Sequence, residues 1–323
     1  MTWSKVAIRR ACGVLHADTN DGVVLGGAWL LARVTAKGWW ASRSMDGASS
    51  ILAVDGDART TWAVGYDRLV AARPGGVFQS RVKALGFKRA TIDLRGVRVA
   101  EDGAVLLAGR VTIPQVGGWK HFMHGFVSRD GGDTFTPQKL DAPDDWNGFH
   151  LIPGAGPVHA RLPGGIHRWE GGGWTPVHEP PNRVGLRWSF RTAMFGIVGD
   201  VLHRSLDGCV SFHPLALHIP APGTVGYGER DVMVSSDDRG RVLVAVLPNF
   251  LARSLDNGET WTHDALPGEA GTQPIRAVLT AHGHDWIATR DEGWGTLWTT
   301  GPKPPRCPPD AIPYVDRNAR SSG

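Results

Sequence analysis

Four arginines stand just before apolar, strand-like runs: Arg89, Arg187, Arg230 and Arg276. A guanidinium is a planar fork of donors that grips a carboxylate or phosphate through two parallel hydrogen bonds. Several such groups on neighbouring loops would make an anion site. Trp188 and Tyr227 lie beside them in the sequence, and Trp119 sits in a comparable loop. Arginine and aromatic side chains at a pocket mouth suit a glycan or a protein partner. Local pairing is the competing use, since Glu229 and Asp231 flank Arg230. Asp144, Asp145, Glu179 and Asp231 are loop acids that could supply the two carboxyl groups of a glycoside hydrolase. The close histidine pairs, His121/His124 and His282/His284, have no third ligand at a defined spacing, so no metal site is expected. No glycine-rich phosphate loop joins a strand to a helix and no Gly-x-Ser-x-Gly elbow occurs, so no cofactor is expected.

The elements that would position these residues announce themselves through a repeat. Ser254-Leu255-Asp256-Asn257-Gly258-Glu259-Thr260-Trp261 reads Ser-x-Asp-x-Gly-x-Thr-Trp. An earlier copy keeps Ser128, Asp130, Gly132 and Phe135, and a worn copy keeps Ser205, Asp207 and Phe212. The pattern resembles the Asp-box, or BNR repeat, of sialidases and other β-propellers. With the aromatic as phase marker, Trp39, Phe78, Phe135, Trp174, Phe212 and Trp261 fall roughly 40 to 50 residues apart, the length of a four-stranded propeller blade. The one long interval contains Thr112 to Met123, which reads as an inserted loop.

The spacing predicts an all-β chain, a single seven-bladed propeller of four-stranded antiparallel blades over residues 1–300. Blade 5 is expected to use 190–195 and 197–198 as its first two strands, and blade 6 to use 232–236, 242–247, 250–254 and 260–265. Blade 7 lacks a fourth strand, because Gly301-Pro302-Lys303-Pro304-Pro305 cannot continue a sheet. Thr2-Trp3-Ser4-Lys5-Val6 reads like the segment that follows a box, so residues 2–8 are expected to complete blade 7 and close the ring. Residues 301–323 form a proline-rich tail, expected to be an extended appendage.

Composition agrees. In 323 residues, 43 glycines and 22 prolines suit short strands joined by tight turns, and 14 tryptophans beside 3 tyrosines suit a repeat that demands an indole. A net charge of +4 with interleaved acids and bases gives no footprint for nucleic acid. No apolar run approaches the roughly 18 residues of a membrane helix. Three scattered cysteines without a Cys-x-x-Cys pair fit a reducing compartment, so a cytoplasmic location is expected.

The box itself reads as structure. Asp256 accepts from turn amides, Gly258 supplies a positive φ and Trp261 fills space between blades. Such turns join the third and fourth strands, on the face opposite the usual ligand site of propellers. The resemblance to sialidases stops at the repeat. Their Arg-Ile-Pro signature has no counterpart, since Thr112-Ile113-Pro114 lacks the arginine, and Tyr227 and Glu229 sit two residues apart instead of at distant positions. The blade count is similar to that of photosystem assembly-factor propellers, which bind a partner. The expected function is a non-catalytic binding or scaffold propeller. Its ligand face, the loops joining fourth to first and second to third strands, would take a protein or an anionic, glycan-like ligand. A glycoside hydrolase is the alternative.

Overall fold

The computed structural model describes residues 2–8, 12–18, 22–27, 30–35, 37–41, 50–73, 78–87, 90–139, 149–162, 164–177, 185–219, 232–246, 250–264, 274–291 and 294–305. Alternating apolar and polar residues, broken by glycine and proline, give seven four-stranded antiparallel sheets. Strand β1 (Ser4–Ile8) is set aside by the chain for the end of the ring. Blade 1 is β2 (Cys12–Asp18), β3 (Gly22–Gly27), β4 (Leu30–Thr35) and β5 (Gly38–Ala41). Blade 2 is β6 (Ile51–Gly56), β7 (Thr61–Gly65), β8 (Arg68–Ala72) and β9 (Gln79–Ser80), followed by a 3-10 turn at Val82–Leu85. Blade 3 is β10 (Thr91–Val99), β11 (Val105–Gln115), β12 (Gly118–Ser128) and β13 (Thr136–Lys139). Blade 4 is β14 (His150–Leu151), β15 (His159–Leu162), β16 (Gly165–Glu170) and β17 (Gly173–Pro176).

Blade 5 is β18 (Gly185–Ser189), β19 (Met194–Val198), β20 (Val201–Ser205) and β21 (His213–His218). Blade 6 is β22 (Val232–Ser236), β23 (Val242–Val246), β24 (Phe250–Ser254) and β25 (Thr262–His263). Blade 7 is β26 (Ile275–Ala281), β27 (His284–Asp291), β28 (Trp294–Thr299) and, as its fourth strand, β1. The pairing runs Ser4↔Thr299 through Ile8↔Gly295, so the N-terminal segment closes the ring as expected. In five of the seven neighbouring pairs of blades the first strands approach one another closely, as strands around a common axis do.

Two expectations need correction. The first strand of blade 5 is β18, five residues earlier than expected. The buried Phe190 and Ala193 belong to the turn into β19, so an apolar run across 190–195 was two features, not one strand. The segment from Thr112 to Met123 is no loop: β11 and β12 pair without interruption from Val105↔Ser128 to Gln115↔Gly118, around a two-residue turn.

Apolar side chains are buried mainly at the seams between blades. The seam of blades 2 and 3 holds Trp62, Leu94, Leu107, Phe126 and Phe135, with Trp62 edge-on to Phe135 at 5.9 Å. The seam closing the ring joins Val6, Ile8 and Leu297 of blade 7 to Cys12, Val23 and Leu25 of blade 1. Each seam has its own cluster, as expected of a ring of sheets packed face to face. A short piece of the tail is docked: Pro304 is buried and the Trp39 indole N–H donates to the Pro305 carbonyl at 2.6 Å, tying blade 7 to blade 1.

Candidate functional site: the loop face of the ring

The propeller has two unlike faces, and the Ser-x-Asp turns define one of them. In all three, the serine Oγ donates to the aspartate and accepts the N–H four residues on. Ser254 Oγ lies 2.6 Å from Asp256 Oδ1 and 2.7 Å from Gly258 N. The corresponding distances are 2.7 and 2.7 Å around Ser128, and 2.8 and 2.9 Å around Ser205. The aspartate then accepts both the N–H and the hydroxyl of the residue four positions later: Thr134, Ser211 and Thr260. These bonds favour the ionised carboxyl. The Thr134 hydroxyl and amide hold Asp130 well below the usual range, Ser254 and Thr260 do the same for Asp256, and Ser211 brings Asp207 down to about 2. Acids this firmly ionised have no proton to give in catalysis. Phe135 and Phe212 are buried, and Trp261 is half-buried with its indole N–H on the Gly258 carbonyl at 2.9 Å.

The same face carries a largely buried chain of polar contacts from blade to blade, near the turns that join first to second strands. His16 of blade 1 lies 3.7 Å from Asp55 of blade 2, which pairs with Arg98 of blade 3 at 3.0 Å. Arg98 reaches on to the carbonyls of Ile152 and Gly156 in blade 4. His159 of blade 4 meets the Ser189 hydroxyl of blade 5 at 3.0 Å, Thr192 of blade 5 meets the Asp237 carbonyl of blade 6, and Ser235 of blade 6 accepts from Thr280 N of blade 7. Asp285, fully buried, is held by Arg253 at 2.6 Å, Arg241 and Thr280. Its neighbours His282 and His284 occupy the turn into β27, on this face, and no three His, Cys, Asp or Glu side chains gather as metal ligands among the described residues.

The opposite face is built differently. Five of the seven first strands carry a β-bulge. The extra residue is Gly13 in blade 1, Leu52 in blade 2, Arg95 in blade 3, Arg187 in blade 5 and Arg276 in blade 7. Each follows a buried side chain: Cys12, Ile51, Leu94, Leu186 and Ile275. A glycine faces the bulge in four of the five, at Gly27, Gly65, Gly109 and Gly196. The reason is contact. A Cβ at Gly65 would sit 1.8 Å from the Ser50 carbonyl oxygen, and one at Gly109 would sit 2.5 Å from that of Asp93. Bulges re-aim the side chain they carry relative to its strand neighbours. Arg95 and Arg276 are exposed and Arg187 half-buried. Three guanidiniums thus occupy one register position in blades 3, 5 and 7.

Around Arg95 the setting is polar. Asp93 lies 3.2 Å from its guanidinium, and Asp93 Oδ1 is buried without a hydrogen-bond partner. Asp67, in the turn between β7 and β8, takes up the Ile92 N–H at 2.9 Å and links blade 2 to blade 3. A small pocket opens between blades 3 and 4, with Arg95, Gly109, Phe149, His150 and Leu151 among its walls.

The structure thus places Arg187 and Arg276 within first strands and gives them a companion, Arg95, that reading the loops missed. The available signal was a buried aliphatic followed by arginine: Leu94-Arg95, Leu186-Arg187, Ile275-Arg276. Trp188 packs against the apolar seam of blades 5 and 6. Trp119 is exposed near the tip of the β11–β12 hairpin. Arg89, Tyr227, Glu229 and Arg230 lie outside the described residues, as do Asp144, Asp145, Glu179 and Asp231.

The fold and its two faces define a seven-bladed β-propeller with buried polar groups at one mouth and exposed arginines at the other. Solved structures with this architecture include Ycf48 bound to a D1 peptide, with a TM-score of 0.61 at 14% identity over 93% of this chain and 97% of that one. Ycf48 from Cyanidioschyzon merolae follows at 0.56 and 15%, over 94% and 99%. A streptogramin B lyase is similar at 0.52 and 9%, over 92% and 97%. At these identities the likeness is one of fold, and it spans a peptide binder and an enzyme. No protein-family profile and no curated protein sequence matches the chain.

Proposed function

We propose that this propeller is a non-catalytic binding or scaffold protein whose loop face receives a partner protein through acidic groups. The observation that carries the reading is the shared register of Arg95, Arg187 and Arg276 on bulged innermost strands. Nature spends strand regularity at such bulges, and a guanidinium held there meets carboxylates entering along the axis. A structural relative solved with a peptide bound supports a protein partner. An acidic glycan is the second ligand of the same chemistry. The three Ser-x-Asp turns are read as Asp-boxes, supported by their common hydrogen bonds, and they serve stability on the other face. The rival reading, hydrolysis by loop carboxylates, rests on Asp144, Asp145, Glu179 and Asp231, which lie outside the described residues.

The test is a titration with fluorescein-labelled hexaglutamate, followed by anisotropy, with sialylated and glucuronylated glycans as competitors. Each of Arg95→Ala, Arg187→Ala and Arg276→Ala should weaken binding by about fivefold or more, the cost of one charge-assisted contact. Wild-type affinity in all three variants would dispose of the arginine site. Competition by the glycans alone, with no peptide binding, would turn the reading from protein to carbohydrate.

A further inference from the structure

The β11–β12 hairpin of blade 3 projects beyond its own sheet. On one side, β10 stops pairing at Thr91↔Thr112. On the other, β13 pairs with β12 only over His124–Val127. Among the described residues, Ile113–Gln115 and Gly118–Lys120 therefore stand as a two-stranded ribbon on the loop face, and the outer edge of β12 is unpaired from Gly118 to Met123. Its tip is apolar and in solvent, with Val116 109% and Trp119 63% exposed.

The two edges of this ribbon are chemically unequal. The turn has two residues, Val116-Gly117, with Gly117 at φ +89°. Such a turn closes on a hydrogen-bonded pair, here Gln115↔Gly118, and pair types then alternate along the ladder. The backbone groups of Trp119, His121 and Met123 are thereby directed away from β11, and those of Thr112 and Pro114 away from β12. Thr112 meets β10. Pro114 has no N–H, so the β11 edge beyond Thr112 cannot template a strand; this is how exposed edges are commonly blunted. The β12 edge carries no proline from Gly118 to Met123, and no strand among the described residues pairs with it. Among the described residues, one edge is closed by proline and the other has no strand against it.

Charge indicates the occupant. From Val105 to Ser128 the hairpin contains Arg110 and Lys120, with His121 and His124, and no carboxylate. A second copy docking antiparallel would set Lys120 near its own like charge, which opposes self-pairing. An acidic strand meets the opposite situation, and Arg95 lies in the pocket at the foot of the hairpin. We propose that the β12 edge, Gly118–Met123, is a docking strand that takes an extended acidic segment of the partner protein by β-augmentation. This rests on the reading of the loop face as the partner-binding face, and adds the mode of capture.

The probe is the labelled, terminally blocked peptide Thr-Glu-Val-Glu-Val-Glu-Thr, titrated into the full chain. Two comparison peptides carry N-methylated valines or lysine in place of glutamate. His121→Pro removes an outward N–H, as Pro114 does on the other strand, and His121→Ala keeps it. The account expects binding of the acidic peptide by wild type and His121→Ala, about tenfold or greater loss with His121→Pro or with the N-methylated peptide, and no binding of the lysine peptide. Equal affinity for the N-methylated peptide would overturn it, because main-chain bonding would then be irrelevant. So would a failure of the acidic peptide to bind, or a dimer in light scattering that His121→Pro dissolves. If Arg276→Ala abolishes binding and His121→Pro does not, the arginine reading stands and the docking strand falls.

Discussion

Gly132 shows how tightly one position can couple a turn to its neighbouring blade. A Cβ there would fall 1.9 Å from the ring of Trp62, itself buried in the seam of blades 2 and 3, and the backbone sits at φ +89°. Gly171, in the tight turn of blade 4, shares the positive φ, +53°, but has nothing within 4 Å of the added atom. Gly171→Ala should therefore cost only the backbone strain, about 1 kcal/mol. Gly132→Ala adds overpacking against an indole that cannot retreat, for about 3 kcal/mol in total. Urea denaturation of the two variants measures the difference, and equal losses would mean that Trp62 yields freely. Cys209 occupies the position of Gly132 in the Ser-x-Asp turn that begins at Ser205, at φ +79°, and there its side chain is buried against Met194. The turn accepts a side chain where the adjoining seam leaves room.

Between elements, the contact of β15 with β18 has a pH dependence of definite sign. His159 is enclosed by the Pro157 carbonyl, the Ser189 hydroxyl, and the charges of Arg168 and Arg98. Burial is the main cause that brings its pKa from the ordinary 6.5 to about 4, with both arginines adding to it. The folded protein thus holds His159 neutral, while the unfolded chain takes up a proton near pH 6.5. The stability from this depressed value is complete above that pH and is lost as pH falls toward 4, amounting to about 3 kcal/mol. His16, lowered in the same direction by burial, contributes with the same sign. His159→Asn cannot titrate. Its stability gap from wild type, followed by denaturation from pH 7 to pH 4.5, should shrink by up to that amount. A constant gap would show that His159 is not the group that titrates.

Across the whole molecule, much of the architecture was legible because the repeat is local. Ser254, Asp256, Gly258 and Trp261 bond and pack within one turn, so their spacing survives in the sequence, and phase alone then assigned Ser4–Ile8 to the last blade. The candidate site was half legible. Arg187 and Arg276 were visible, but their place on β-bulges was not, because a bulge is a relation between two strands. Gly109 matters through the Asp93 carbonyl on the neighbouring strand, and neither residue alone points to Arg95. The β11–β12 hairpin was hidden for a related reason: Pro114 and two glycines read as loop until the pairing shows that proline lies on an edge. The account therefore turns on which face of the ring meets the ligand. Arginine-specific modification by phenylglyoxal, read by mass spectrometry with and without bound hexaglutamate, tests this most directly. Arg95, Arg187 and Arg276 should be protected, while Arg59 and Arg129, exposed on the Ser-x-Asp face, react at unchanged rates. Protection of Arg59 or Arg129 with none at the three bulge arginines would contradict it.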